Sequence, residues 1–239
     1  MELVKILVGF LGALFVGFGI SLFERAREVA GVSREYFRLA VESVINLNDR
    51  KERRVRVKGT VKPSASLLAG PFTGKECVYC KYRVLTRRSF LPSTQTVEGK
   101  EETVFMVEDP TGAVLVEPFG GRFIIRHDTL SEDDLSADSA ARLRDLMEKK
   151  AMRKGSSLTI IEEHLEPEEP VTVLGTYCPS AGDGRGSIGL SRKSPLIVVR
   201  CSDEAFALLH RRAWSRLLLL GLCFLAAGLF NLYLLFFFR

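Results

Sequence analysis

The chain has 239 residues, 46% of them hydrophobic, so its length allows one or two domains. Lys and Arg outnumber Asp and Glu by 34 to 29, and the pI is near 9.0. No interleaved aromatic and basic motif accompanies this excess of positive charge, so we expect anionic membrane lipid, and no nucleic acid, to meet it.

Two apolar stretches lie near the ends of the chain. Residues 6–23 and 217–238 contain no charged side chain. A helix rises about 1.5 Å per residue and crosses the hydrocarbon core with about 20 apolar residues, so we predict transmembrane helices over 4–23 and 215–238. A cleaved signal peptide and a buried helix of a soluble protein are the alternatives. The long apolar run and its Phe23-Glu24-Arg25 ending, in place of small residues, favour the span.

Small residues recur every four positions in the first span, at Gly9, Ala13 and Gly17. Such a stripe allows a second helix to approach closely. We therefore expect helix–helix packing there, and a homo-oligomer formed through the transmembrane helices is one form that it could take.

Arginines flank the inner ends of both spans, whereas the outer tails offer only Lys5, Arg239 and the amino terminus. The positive-inside rule therefore predicts a cytoplasmic middle region with both termini outside. The residues that we predict to flank the membrane are Arg25, Arg27, Arg211, Arg212 and Trp214.

The residues after the first span, 24–54, are predicted to form a juxtamembrane linker. In it, Ser33 is a candidate N-cap for an amphipathic helix over 34–47 that leads away from the membrane. Strict alternation over 54–61 then predicts a half-buried strand, and a loop rich in Pro, Ser and Gly follows.

The rest of the middle region is rich in strand patterns. Asp109-Pro110-Thr111-Gly112 fits a tight turn between two strands, because Pro presets φ and Gly accepts a positive φ. We also predict a charged helical insert over 138–153, and a juxtamembrane helix over 202–214 that Ser202 caps and that continues into the second span. The other predicted strands are 76–88, 103–109, 113–118, 122–125, 158–161, 170–177, 188–190 and 196–200.

Four blocks follow one another in the middle region: VRVKGTVKP, LLAGPFTGKECVYCKYRV, ETVFMVEDPTGAVLVEP and EEHLEPEEPVTVLGTY. Their order, closing on a C-terminal span, resembles the GIDE domain, also called the beside-a-membrane (BAM) domain, of the MULAN-type membrane E3 ubiquitin ligases. The resemblance covers about 55–216 and is specific through the order of the blocks, since each alone is a generic β pattern. It implies a partner- or substrate-binding domain held between two spans, with roles in membrane organisation and in quality or stress control.

The resemblance does not extend to the catalytic part of those ligases. A RING finger holds two Zn²⁺ with eight closely spaced Cys and His ligands, whereas the five cysteines and three histidines here are scattered and Cys223 lies in the second span. We therefore expect a prokaryotic-type member without a RING and without enzyme activity. The alternative is the substrate-recognition part of a ligase-like system whose RING or E2-like protein is a separate chain. The mitochondrial ligase holds this domain away from the cytosol, opposite to the side that the arginines predict.

The segment GKECVYCKYRV, residues 74–84, contains Cys77 and Cys80. In a strand, positions three apart point to opposite faces, so the two thiols could share a metal or a disulfide only if a turn bent the chain there. We expect buried or half-buried strand cysteines and no cofactor. A partial metal site with Cys178 or Cys201, and a redox pair, are the alternatives.

His164 lies among glutamates and could in principle act as a base, with a carboxylate to orient it. A solvated acidic loop is the favoured interpretation, because no nucleophile or metal triad is near in the sequence. An enzyme that uses Cys77 or His164 is a third class of function. The resembling family usually has glycine where Glu168 stands, so the turn there could differ. The glutamates are Glu162, Glu163, Glu166, Glu168 and Glu169.

Together these features predict an α+β membrane protein in which two transmembrane helices flank a β-rich domain over 55–201. Its short strands and hairpins suggest a small barrel or sandwich, OB-like, with accessory helices. The expected function is a membrane-tethered scaffold that binds a protein or lipid partner through loops 63–75, 89–98 and 181–187. The candidate contact residues in these loops are Pro71, Phe72, Pro92 and Arg185.

Overall fold

The structure, a computed structural model, describes residues 2–48, 51–64, 66–87, 94–150, 157–179, 186–192 and 194–237. Within these residues the chain is α+β and divides into two compact units, Met1–Leu39 with Ser202–Arg239, and Ala40–Cys201. The helices are α1 (Glu2–Arg38), α2 (Ala137–Lys149) and α3 (Asp203–Phe237), with 3₁₀ turns at Val44–Asn48 and Glu132–Asp134. The strands are β1 (Val41–Glu42), β2 (Arg53–Pro63), β3 (Leu68–Ala69), β4 (Glu76–Cys77), β5 (Tyr79–Arg87), β6 (Thr94–Glu102), β7 (Phe105–Asp109), β8 (Gly112–Val116), β9 (Arg122–Ile124), β10 (His127–Leu130), β11 (Ser157–Leu165), β12 (Pro170–Cys178), β13 (Ser187–Gly189) and β14 (Ile197–Val199).

The first unit is an antiparallel pair of long helices. Helices α1 and α3 have 37 and 35 residues, so each is about 50–55 Å long. Both contain stretches long and apolar enough to cross a membrane. Ser202 begins α3 as predicted, because its hydroxyl accepts a hydrogen bond from Ala205 N at 3.2 Å.

The two helices pack through glycines spaced seven residues apart. A Cβ on Gly12 would lie 3.3 Å from the Gly228 carbonyl oxygen, and one on Gly19 would lie 3.1 Å from that of Gly221. The predicted stripe is only partly right: Gly9 approaches Leu235, but Gly17 has nothing within 4 Å. Close approach at two glycine pairs is what lets these backbones meet.

The predicted helix over 34–47 is wrong. Helix α1 continues through Ser33 to Arg38, and the chain then forms β1 and a 3₁₀ turn. The turn is set by distant residues: the Asp109 carboxylate accepts from Val44 N at 2.8 Å, and the Thr111 hydroxyl accepts from Ile45 N at 3.1 Å. These contacts with the predicted 109–112 turn, which the structure confirms, override local helix propensity.

The second unit contains a closed five-stranded barrel. Its strands pair in the order β2, β7, β8, β13, β12 and back to β2, and all pairs are antiparallel except β8 with β13. Alternating side chains point inward, as the RVRVKGTV pattern predicts. Each barrel strand contributes a fully buried residue to one core: Val57, Val107, Val116, Val173 and Ile188.

A second, four-stranded antiparallel sheet has the order β10, β11, β5, β6. Val84 and Ile160 of this sheet form a separate apolar cluster with Phe72 and with Leu143 of α2. Helix α2 begins at Ser136, whose hydroxyl accepts from Ser139 N. The predicted end of this helix, residues 151–153, lies outside the described residues.

Candidate functional site

One face of the second sheet is covered by a loop, residues 70–75. Alternation along β11 places Ile160, Glu162 and His164 on the same face. Successive parts of the 70–75 loop meet this row: Phe72 packs in the cluster of Ile160, Thr73 contacts Glu162 and Lys75 contacts His164. The predicted solvated acidic loop is therefore only partly right: Glu162 and His164 are buried strand residues, whereas residues 166–169 form the turn between β11 and β12, with Glu168 exposed.

Glu162 fixes the 70–75 loop through hydrogen bonds to its carboxylate. Its Oε2 accepts from Phe72 N at 2.9 Å and from Thr73 N at 3.3 Å, while Oε1 accepts from the Thr73 hydroxyl at 2.5 Å. The Glu162 side chain is fully buried. Its carboxylate oxygens accept the hydrogen bonds that the Phe72 and Thr73 donors would otherwise give to water. A side chain on Gly70 would overlap the carboxylate, so glycine is required at this point of the loop.

Lys75 ends the loop in a cluster of charged and polar groups. Its Nζ lies 2.9 Å from Asp128 Oδ2 and 3.1 Å from His164 Nε2, which in turn lies 2.9 Å from Glu166 Oε1. The hydrogen bond between Lys75 and Asp128 raises the pKa of the lysine and lowers that of the aspartate. The ammonium group thus lies between the ring and Asp128, and it is 3.6 Å from Glu166 Oε1.

The geometry of this cluster suits a role in holding the 70–75 loop better than a role in binding a metal ion. Within the described residues, no group of three or more His, Cys, Asp or Glu side chains is arranged to hold a metal. His164 Nδ1 is buried and has no hydrogen-bond partner among the residues that the structure describes. Its other nitrogen is already engaged by Lys75 and Glu166, so the ring is not presented to solvent as a base.

Cys77 and Cys80 are buried, and both are free thiols. They lie on β4 and β5, which confirms the prediction of buried strand cysteines. The chain bends at Val78, so the two side chains interact and do not point to opposite faces. A hydrogen bond from the Cys80 thiol lowers the pKa of Cys77 and raises that of Cys80.

The structure does not join these thiols to the other candidate ligands. Cys178 is exposed at the end of β12, and Cys201 is half-buried after β14. No metal-holding group that includes either of them occurs among the residues that the structure describes.

The four predicted partner-contact residues differ in where the structure places them. Phe72 is 5% exposed, and its ring packs edge-to-face on Tyr82 at 5.4 Å, so it belongs to a core and not to a contact surface. Pro71 is half-buried beside it. Pro92 and Arg185, with most of the predicted loops 89–98 and 181–187, lie outside the described residues, although 94–98 belong to β6.

The predicted membrane-flanking residues all lie on the helical unit. Arg25, Arg27, Arg211 and Arg212 are exposed, and the Trp214 side chain is 41% exposed. Only Arg211 and Trp214 of this set line a groove between α1 and α3, together with Arg34.

Sequence reasoning missed Lys75 and Asp128 as partners of His164. The continued alternation from Ile160 through Glu162 to His164 is the signal that could have extended the strand. No protein-family model, curated protein or solved structure matches the chain.

Proposed function

We propose that the chain is a membrane-anchored scaffold whose β-rich domain binds a partner beside the bilayer. The outer surface of the helix pair carries this proposal. Large apolar side chains there are between 39% and 77% exposed, and a soluble protein does not leave such a surface in water. Representative side chains are Phe10, Leu14, Phe18, Leu219, Leu222, Leu229, Phe230 and Phe236.

A GIDE/BAM-type domain is part of the same proposal. The four blocks that carry the resemblance fall on β2, on the 70–75 loop with β4 and β5, on the β7–β8 hairpin, and on β11 with β12. A five-stranded Greek-key barrel is the architecture of OB folds, which bind ligands through strand faces and loops. Both observations support an OB-like binding domain between two spans.

An exposed apolar tip on the domain is the surface at which we place the partner contact. Phe119 and Leu190 are 53% and 51% exposed. They come from different loops that meet, because a Cβ on Gly120 would lie 3.2 Å from Leu190 Cδ2. Exposed aromatic residues on a rigid scaffold are typical anchors of protein–protein contacts.

The first experiment tests insertion and orientation. Cys178 is exposed, so in a Cys201→Ser, Cys223→Ser background it should react with a membrane-impermeant maleimide at pH 8.5. Labelling only after lysis would place the domain in the cytoplasm, as the arginines predict. Labelling in intact cells would place it outside. Extraction of the chain by alkaline carbonate would contradict membrane insertion altogether.

The second experiment tests partner binding. A photocrosslinking residue at Phe119 should capture a discrete protein in cells, whereas the same residue at Arg142, exposed on α2, should not. Equal capture at both positions, or none at either, would contradict the tip as a contact surface. A captured RING-containing or ubiquitin-conjugating (E2-like) protein would identify the domain as the recognition part of a split ligase.

A further inference from the structure

The groove between α1 and α3 has a volume of about 330 Å³. Its walls include Ser33, Arg34 and Phe37 of α1, and Arg211 and Trp214 of α3. None of its lining residues, all of which are described, carries a carboxylate. The lining therefore combines two arginine side chains with the rings of Phe37, Trp214 and His210, and it contains no carboxylate.

The register of the helix pair sets the level of this groove. Gly12 faces Gly228 and Gly19 faces Gly221, and Phe23 lies against Gly221. The apolar segments of the two helices, which end at Phe23 and begin at Leu217, therefore stop at about the same level. Trp214 lies about 4.5 Å beyond that level along α3, and Arg211 about 9 Å beyond it.

The groove lies at the outer side of the polar layer of a bilayer. The headgroup layer is roughly 5–8 Å thick on each side of the hydrocarbon core, so Trp214 falls within it and Arg211 lies just beyond it. The Cα of Arg34 lies about 16 Å past the end of the apolar segment at Phe23. Helical side chains tilt toward the helix N-terminus. Arg34 on α1 therefore leans toward the bilayer, whereas Arg211 on the antiparallel α3 leans away from it, so the two guanidinium groups converge.

The two cations are not neutralised by the protein. Among the described residues, Arg34 and Arg211 have no ion pair or hydrogen-bonded side-chain partner, and both are exposed. Guanidinium groups bind phosphate oxygens in paired hydrogen bonds, and an indole packs well where the apolar and polar layers of a bilayer meet. This chemistry fits a phosphate attached to a glycerolipid.

We propose that this groove is a binding site for the headgroup of an anionic phospholipid. Arg34 and Arg211 pair with the phosphate, the Ser33 hydroxyl donates to it, and Trp214 packs against the glycerol region. The inference rests on the proposed membrane anchoring. The proposed site binds one lipid headgroup specifically, in addition to the general attraction of basic residues to an anionic membrane surface.

The only tryptophan of the chain reports on this site directly, since the sequence contains one Trp, at position 214. The full chain is placed in phosphatidylcholine nanodiscs that contain a small, equal fraction of a brominated-chain lipid, either phosphatidylglycerol or phosphatidylcholine. We expect brominated phosphatidylglycerol to quench Trp214 several-fold more strongly. Arg34→Gln with Arg211→Gln should remove most of this preference and bring the ratio of the two quenching signals close to one.

A control pair separates a site from general electrostatics. Arg25→Gln with Arg212→Gln removes the same charge outside the groove, from positions that lie nearer to the hydrocarbon core than Arg34 and Arg211 do. It should leave most of the preference in place. Equal losses in the two double variants would overturn the proposal, and so would a preference that millimolar inorganic phosphate removes, because the site would then take soluble phosphate.

The two proposals fail in distinguishable ways. If the chain is not inserted, neither brominated lipid quenches Trp214, and the membrane anchor itself is wrong. If the chain is inserted but the groove is not a lipid site, either both brominated lipids quench Trp214 to the same extent or the two double variants lose the preference equally.

Discussion

Gly12 and Gly228 face each other across the helix pair, and a Cβ on Gly228 would lie 2.9 Å from the Gly12 carbonyl oxygen. The same added atom would lie 2.7 Å from the Val16 side chain and 3.0 Å from the Val16 backbone nitrogen. Backbone atoms cannot move aside as a flexible side chain can, so this contact requires glycine.

Gly228→Leu should therefore destabilise the helix pair by about 1–3 kcal/mol. Unfolding of the full chain in mild detergent, followed by Trp214 fluorescence, measures the change. Gly17→Leu is the matched control, because nothing lies within 4 Å of that position, and it should change the free energy by less than about 0.5 kcal/mol. Similar losses in both variants would mean that the helices do not pack through the Gly12–Gly228 face.

The sequence predicted those parts of the fold that depend on local pattern. Alternation identified the barrel strand β2, turn chemistry identified the Asp109–Gly112 turn, and apolar length identified the two terminal helices. It failed where distant residues decide the outcome. The 3₁₀ turn at Val44 depends on Asp109, 65 positions away, and β11 continues through Glu162 because Phe72 and Thr73, about 90 positions away, supply its hydrogen bonds.

The candidate site shows the same division. The burial of Cys77 and Cys80 followed from their strand pattern, whereas the bend at Val78 that brings the thiols together did not. In the helix pair, both the four-residue and the seven-residue glycine spacings are visible in the sequence. Which of them faces α3 depends on where the bulky side chains of the partner helix fall, such as Leu225 against Gly19.

Removal of the Glu162 carboxylate should release the 70–75 loop. Glu162→Ala leaves two buried N–H groups and a hydroxyl without acceptors, so we expect a loss of about 3 kcal/mol in the free energy of unfolding. Glu162→Gln should cost clearly less, because its amide oxygen can accept from both N–H groups while the Thr73 hydroxyl accepts from its NH₂. Hydrogen exchange at the amides of Phe72 and Thr73 should accelerate in the alanine variant. Unchanged exchange there would show that Glu162 does not hold the loop.

The Lys75–Asp128 pair should make stability depend on pH on the acid side. Because Lys75 lowers the pKa of Asp128 in the folded state, the contribution is present above the unfolded pKa, near 4, and is lost as the pH falls through the folded value. The free energy of unfolding of the wild-type chain should exceed that of Asp128→Asn by less than about 1 kcal/mol at pH 7. The pair contributes little because the side chains of Lys75 and Asp128 are both more than a third exposed. The difference should shrink at pH 3.5. In a Lys75→Met background, the effect of Asp128→Asn on stability should change little with pH. If that effect kept the same pH dependence, groups other than Lys75 would be responsible for it.

Thiol reactivity should separate Cys178 from the buried pair. In the native full chain, an alkylating reagent should modify Cys178 while Cys77 and Cys80 stay protected, because their side chains are buried. Both should react only after unfolding, in parallel with the loss of structure. Peptide mapping after timed alkylation measures each site. Modification of Cys77 at the rate of Cys178 under native conditions would contradict the closed 70–75 loop and reopen the redox alternative.

Glu168 adopts a backbone conformation that suits glycine, with φ at +66°. This is the position at which the resembling family usually has glycine. The left-handed region costs a residue with a Cβ about 1 kcal/mol or more, whereas the ion pair of Glu168 with Lys62 at 2.7 Å is on the surface and contributes less. Both Glu168→Gly and Glu168→Ala remove that ion pair, so their comparison isolates the backbone. We expect the glycine variant to be more stable than the alanine variant by about 1 kcal/mol in denaturant unfolding of the full chain.

Equal stability of the two variants would mean that the turn relaxes out of the left-handed region when the Lys62 contact is lost. The ion pair, and not the loop closure between β11 and β12, would then be what holds the backbone in that region.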